Sequence, residues 1–179
     1  MKRYIALLRG INVGGKNKIA MAELKIGFSE LGMLEVATHL NSGNVIFSSP
    51  DDDAHALSND IQFMIKDKFD LDIPVHIVSQ AALQELLEHA PDWWGNDNKA
   101  IYDNLIFLMS PLSYEAFYHE MGSPKAELEQ VEHYKKAVFW SFSRKDYQKT
   151  NWWSKTANSN VRNKMTIRTA NTIRKIAGM

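Results

Sequence analysis

Arg9, Lys16 and Lys18 bracket Gly10, Gly14 and Gly15 near the start of the chain, and Asn12 adds a carboxamide to the same run. Glycines tolerate positive φ and let backbone approach closely, so N–H groups can converge where cationic side chains also reach. That chemistry suits a phosphate or a carboxylate. Ahead of the run, Tyr4 to Leu8 reads as an apolar strand; after it, Met21-Ala22-Glu23-Leu24 opens an amphipathic helix. Ala20 stands where a Ser, Thr or Asp cap is expected, which leaves the first helical N–H groups without a side-chain partner. An anion fits there. The glycine spacing matches neither the dinucleotide fingerprint nor the P-loop, and a tight strand-to-helix crossover would also require glycines.

Two further stretches carry candidate ligand chemistry. Asn41-Ser42-Gly43-Asn44 is a turn between β-rich runs whose Asn41, Ser42 and Asn44 offer polar groups. In the split-βαβ order strand 1 lies antiparallel beside the strand that begins at Asn44, so the end of strand 1 at Arg9 need not lie beside this turn. The C-terminal segment holds nine cations, Arg168 among them, with Tyr147, Trp152 and Trp153 interleaved and Asn171 following. Cations with aromatics can hold phosphates and stack bases, so nucleic acid is an alternative partner; burial of a tryptophan in the core would weaken it. Other catalytic chemistry is sparse. The chain has no cysteine, which excludes disulfides and thiolate chemistry. Its six histidines include no pair at metal-ligand spacing, and Asp51-Asp52-Asp53 suits a helix start without a metal. No metal or cofactor is expected. An enzyme acting on a phosphorylated metabolite would use Arg9, Lys18 and Arg168 as charge stabilisers.

The elements that position these groups alternate between strand and helix. Residues 3–9 read as a strand, and Met21, Leu24, Phe28 and Leu31 mark one face of a helix ending at Gly32. Residues 35–40 and 44–48 form a hairpin. A second helix carries Leu57, Ile61, Met64 and Ile65; Val75–Val78 is a strand; Ser79 caps a third helix. This order, βαββαβ and then a helix, is the ferredoxin-like plan. From residue 103 it recurs: a strand over 105–109, a helix with Tyr114, Phe117 and Met121, a hairpin around Lys135-Lys136, a helix over 147–157, a strand over 165–168 and a last helix from Thr169. The expectation is an α+β fold, a tandem duplication of two ferredoxin-like (βαββαβ) units. Residues 1–90 form the first, 91–102 a linker packed through Trp93 and Trp94, and 103–179 the second.

At 179 residues, 45% hydrophobic and 23% charged, the chain is an ordinary globular protein with room for a sizeable core. Net charge is zero but unevenly placed: residues 1–20 carry +5, residues 21–143 carry −13 and residues 144–179 carry +8. Basic ends around an acidic middle favour pairing of the termini with the body, or an anion site. The apolar run Tyr4–Leu8 is too short for a secretory segment or a membrane span, so a cytoplasmic address without membrane contact is expected.

Three stretches together carry a family likeness: Ala6-Leu7-Leu8-Arg9-Gly10-Ile11-Asn12-Val13-Gly14-Gly15 with Lys18 and Met21, Asn41-Ser42-Gly43-Asn44-Val45, and Thr166 to Ile176. On these the chain resembles the family known as domain of unknown function 1697. The resemblance implies a duplicated α+β fold and a bacterial-type cytoplasmic protein, and it implies no activity. In the third stretch the family usually has an arginine, an asparagine and a tryptophan before an Asn-Thr pair. Here Arg168 and Asn171-Thr172 are kept, while Thr169 and Ala170 stand in the intervening places. From the residues themselves, the expected ligand is an anionic small molecule bearing phosphate or carboxylate. It would be held by the loop Arg9 to Lys18 with help from Arg168.

Overall fold

Tyr4, Ala6 and Leu8 alternate with Ile5 and Leu7 along the first strand, and all five side chains are buried. A strand apolar on both faces belongs in the middle of a sheet, and there it lies. The computed structural model describes residues 1–179. Contacts divide the chain into two compact units, one of residues 1–85 with 176–179 and one of residues 86–175.

In the first unit β1 (Lys2–Leu8), α1 (Met21–Glu30), β2 (Leu34–His39), β3 (Asn44–Ser49), α2 (Ala54–Phe69) and β4 (Val75–Ser79) follow in sequence, and α3 (Gln80–Glu88) comes next. The sheet order is β2-β3-β1-β4, antiparallel throughout. This is the ferredoxin-like arrangement. Helix α1 turns Leu24 and Phe28 inward and α2 turns Leu57, Ile61 and Ile65, onto a sheet face made of Tyr4, Ala6, Leu8, Val45 and Phe47. Fully burying one such aliphatic or aromatic side chain contributes about 1.5–3 kcal/mol. The acidic triplet is a helix start: Asp53 accepts from the N–H groups of His55 and Ala56 and caps α2. Ser79 Oγ accepts from Ala82 N at 3.1 Å in the first turn of α3.

The second unit repeats the order with β5 (Ile101–Leu108), α4 (Tyr114–Met121), β6 (Glu129–Tyr134), β7 (Ala137–Ser143) and β8 (Met165–Thr169), followed by α6 (Ala170–Ala177). Its sheet runs β6-β7-β5-β8, again antiparallel. Val138, Trp140 and Phe142 alternate into a core with Phe117, Met121 and Trp152. Residues 91–102, read from sequence as a linker, lie in this unit. Trp94 is buried, donates its indole N–H to Asn104 O at 2.8 Å and meets the Phe139 ring edge-on.

One element differs from expectation. Residues 147–157 do not form a helix. A 3-10 turn (Arg144–Lys149) leads to a buried Trp152, then to the four-residue α5 (Lys155–Asn158) and a second 3-10 turn (Arg162–Lys164). The cause is Glu129, a buried carboxylate on β6. It accepts from Asn151 N at 2.8 Å and Trp152 N at 3.1 Å, besides the Trp140 indole and Lys125 N. A continuous helix could not aim two successive N–H groups at one side chain while sinking Trp152 into the core. No helix in the protein is long and apolar enough to cross a membrane.

Candidate functional site

The glycine-rich loop is a small hairpin of its own. Lys16 N donates to Val13 O at 3.0 Å, and the two residues between them, Gly14 and Gly15, have φ of +57° and +75°. Two successive positive φ values define a type I′ turn, which glycine enters without strain. One layer further out, Asn12 N donates to Asn17 O at 3.1 Å, and Asn17 Nδ2 donates to Gly10 O at 2.9 Å. Asn12 and Asn17 themselves sit at φ +53° and +52°, a region asparagine tolerates better than most residues. The loop is therefore shaped from within.

Asn12 ties this hairpin to its surroundings. Its Oδ1 accepts from Ile19 N at 2.9 Å, and its Nδ2 donates to Ile19 O at 3.0 Å and to Asn41 O at 2.8 Å. The third bond joins the loop to the Asn41-Ser42-Gly43-Asn44 turn. Antiparallel register makes that neighbourhood necessary: Leu7 stands opposite Asn44, and Leu8 N donates to Gly43 O at 2.9 Å. The end of β1 thus lies beside the turn, which corrects the sequence expectation that antiparallel pairing need not bring it there. Gly43, at φ +90°, has no room for a side chain, since a Cβ there would lie 2.7 Å from Leu8 Cβ. Asn44 is fully buried and donates to His39 O at 2.9 Å and Ser42 Oγ at 3.2 Å. Its amide closes the turn.

Between loop, turn and helix lies an open concavity of about 400 Å³, lined by Asn12, Gly15, Lys18, Ile19, Ala20, Met21 and Asn41. Ala20 occupies the N-cap position of α1 at φ −72° and ψ 128° and supplies no side-chain cap. Lys18 is exposed at the rim, as is Lys16 on the turn. No acid lines the concavity, although Glu23 sits in the first turn of α1. The arrangement presents orphan helix N–H groups and a lysine to one solvent-filled space.

The remaining candidates are placed as follows. Arg9 is half-buried at the end of β1, where its N–H donates to Pro74 O at 3.0 Å; it does not line the concavity. Arg168 is buried on β8 of the second unit, where Nη1 donates to Thr166 Oγ1 at 2.8 Å and Ile167 O at 2.9 Å. Asn171 lies in the first turn of α6 and lines another concavity of the second unit. Of the two adjacent tryptophans, Trp152 is fully buried and donates its indole N–H to Gly122 O at 2.8 Å, whereas Trp153 is 39% exposed. His133 and His89 stack on Tyr114 and Tyr134. Burial, with Tyr118 and Glu115 nearby, raises the Tyr114 phenol above its ordinary pKa. Sequence reasoning passed over Asn17. Its one signal was an asparagine in a glycine-rich run, where a left-handed residue is a common need.

Comparison with known proteins gives a family and a fold. The family model described as "Protein of unknown function (DUF1697)" matches residues 1–139. Among solved structures the chain is similar to the conserved bacterial protein SP0830 from Streptococcus pneumoniae. The two share 30% identity over 99% of this chain and 97% of that one, with a TM-score of 0.85. No curated protein matches the chain.

Proposed function

The chain belongs to the family described as "Protein of unknown function (DUF1697)", a membership that brings no activity with it, and we propose from its own first-unit site that it binds a phosphate- or carboxylate-bearing small molecule. One observation carries the reading. The N-terminus of α1 has no side-chain cap and opens onto a concavity lined by Lys18 and by no acid. Unpaired N–H groups at a helix start carry roughly half a positive charge, and an oxyanion satisfies both the hydrogen bonds and the dipole. Asn12 and the glycine turn hold the loop in shape and so lower the cost of ordering it around a ligand.

The magnitudes bound what a bare anion should do. Two charge-assisted hydrogen bonds at about 1.5–3 kcal/mol each, with about 0.3–1 kcal/mol from the helix end, are reduced by the loss of ligand freedom. Inorganic phosphate should then bind at about millimolar strength, and a larger ligand that also fills the concavity should bind more tightly. An NMR titration with inorganic phosphate tests this. The amide resonances of Met21 and Ala22 should move with saturation, and Lys18→Ala should weaken that response about three- to tenfold. Unmoved amides at the start of α1, at phosphate concentrations well above millimolar, would refute the reading.

A further inference from the structure

A second concavity lies wholly within the second unit, and it brings opposite charges together without pairing them. Asp97 and Lys99 ahead of β5, Tyr102 and Asp103 on β5, Arg144 just after β7, and Asn171 and Arg174 on α6 all line it. The Arg144 guanidinium lies 4.4 Å from the centre of the Tyr102 ring, a stacking that fixes the plane of its donors, and it makes no hydrogen bond within the protein. Arg174 is anchored: Nη2 donates to Gly95 O at 2.5 Å and the guanidinium lies 5.8 Å from the centre of the Trp94 ring. That leaves its other donors for the cavity. The side chains of Lys99 and Asn171 have no partner in the protein. Asp103 accepts a hydrogen bond from Ser141 Oγ, and no ion pair joins Asp97 or Asp103 to any of the three cations.

We propose that this pocket binds a hydroxyl-bearing phosphate monoester. Cations that line a small pit with two carboxylates, yet pair with neither, leave their donors for an oxyanion and leave a carboxylate for a donor on the ligand. Against Asp97 and Asp103 the three cations leave one net positive charge, and their many fixed donors match the three oxygens of a phosphate monoester better than the two of a carboxylate. The phosphoryl oxygens face Arg144, Arg174 and Lys99, with the first turn of α6 adding its dipole. A ligand hydroxyl donates to Asp103. The volume of about 80 Å³ holds a phosphoryl group and a short hydroxylated chain. A nucleic-acid strand needs a continuous basic groove, and this is a pit. The proposal rests on the second unit alone and stands apart from the site on α1.

Glycerol phosphate, ethyl phosphate and a short single-stranded oligonucleotide are the probes, and every affinity is read from NMR titration at the Ala170 and Asn171 amides. Glycerol phosphate should move the amide resonances of Ala170 and Asn171 and should bind at least threefold more tightly than ethyl phosphate. Arg144→Ala should weaken it tenfold or more. Arg144→Lys keeps the charge but loses the stacked plane, and should fall between that variant and the parent protein. Asp103→Asn should erase the advantage over ethyl phosphate; should that variant misfold, Asn171→Ala with a threefold or greater loss serves as the second test. Silence at Ala170 and Asn171, or equal affinity in Arg144→Ala, would overturn the proposal. So would an oligonucleotide that displaces glycerol phosphate at lower concentration.

Discussion

In the second unit β5 reaches α4 through residues 109–113, and Ser113 Oγ accepts from Ala116 N at 3.1 Å to cap the helix. In the first unit the equivalent crossover runs through residues 9–20, carries Arg9, Lys16 and Lys18, and delivers α1 with Ala20 at its uncapped start. The strand order is the same in both, so topology does not demand the longer route. A helix that needs only a start takes a serine. The first unit instead surrounds an open start with a hairpin shaped by two asparagines and a type I′ turn, which is the arrangement an anion would complete.

The later crossover reverses the roles. In the first unit β3 passes to α2 directly and Asp53 caps it, but in the second β7 passes to β8 through the irregular stretch 144–164. That stretch is organised by a buried carboxylate and a buried indole, where the residue 9–20 loop sinks Ile11 and Ile19 into the core and turns its glycines and lysines to solvent. Irregular chain serves packing in one unit, and packing together with an accessible concavity in the other.

Breaking the arrangement around the buried carboxylate should have the largest effect. Glu129→Ala orphans four donors, three backbone N–H groups and the Trp140 indole, and should cost about 3–5 kcal/mol in urea denaturation. A loss below about 1 kcal/mol would mean that the 144–164 stretch holds itself. In the first unit Gly43→Ala comes next, at about 2–3 kcal/mol, because it combines a positive φ with a clash against Leu8. It should also broaden or shift the Asn12 amide resonances, since the turn holds Asn12 through Asn41 O. Smallest is Glu23→Gln. Removing the one acid in the first turn of α1 should tighten phosphate binding about two- to fivefold, in proportion to an exposed charge near a helix end. Unchanged or weaker binding in that variant would separate the anion response from α1.

Most of the fold was legible because periodicity and punctuation agreed. Leu24 with Phe28, Leu57 with Ile61, the Ser79 cap and the Lys135-Lys136 hairpin each announce an element by spacing or by turn chemistry, and each is there. The 144–164 stretch was not legible, since its path is set by Glu129, which is distant in sequence and looks on paper like one more surface acid. For the site, the loop's glycines and the missing cap could be read locally. The meeting of Asn12 with Asn41 could have been read from register alone, because antiparallel pairing brings the end of β1 to the start of β3. The concavity of the second unit could not, as Lys99, Arg144 and Arg174 come from three separated segments and converge only once the sheet has formed.

The open start of α1 is the centre of the account, and Ala20→Asp tests it most directly by giving that helix the kind of cap its counterpart already has. The backbone at Ala20 is extended and suits a capping residue, so the substitution should raise stability by about 0.5–2 kcal/mol. In the same protein, the response of the Met21 and Ala22 amide resonances to inorganic phosphate should weaken tenfold or more, because the new carboxylate takes the N–H groups and repels the anion. A variant that gains the stability and still binds phosphate as the parent does would contradict the account.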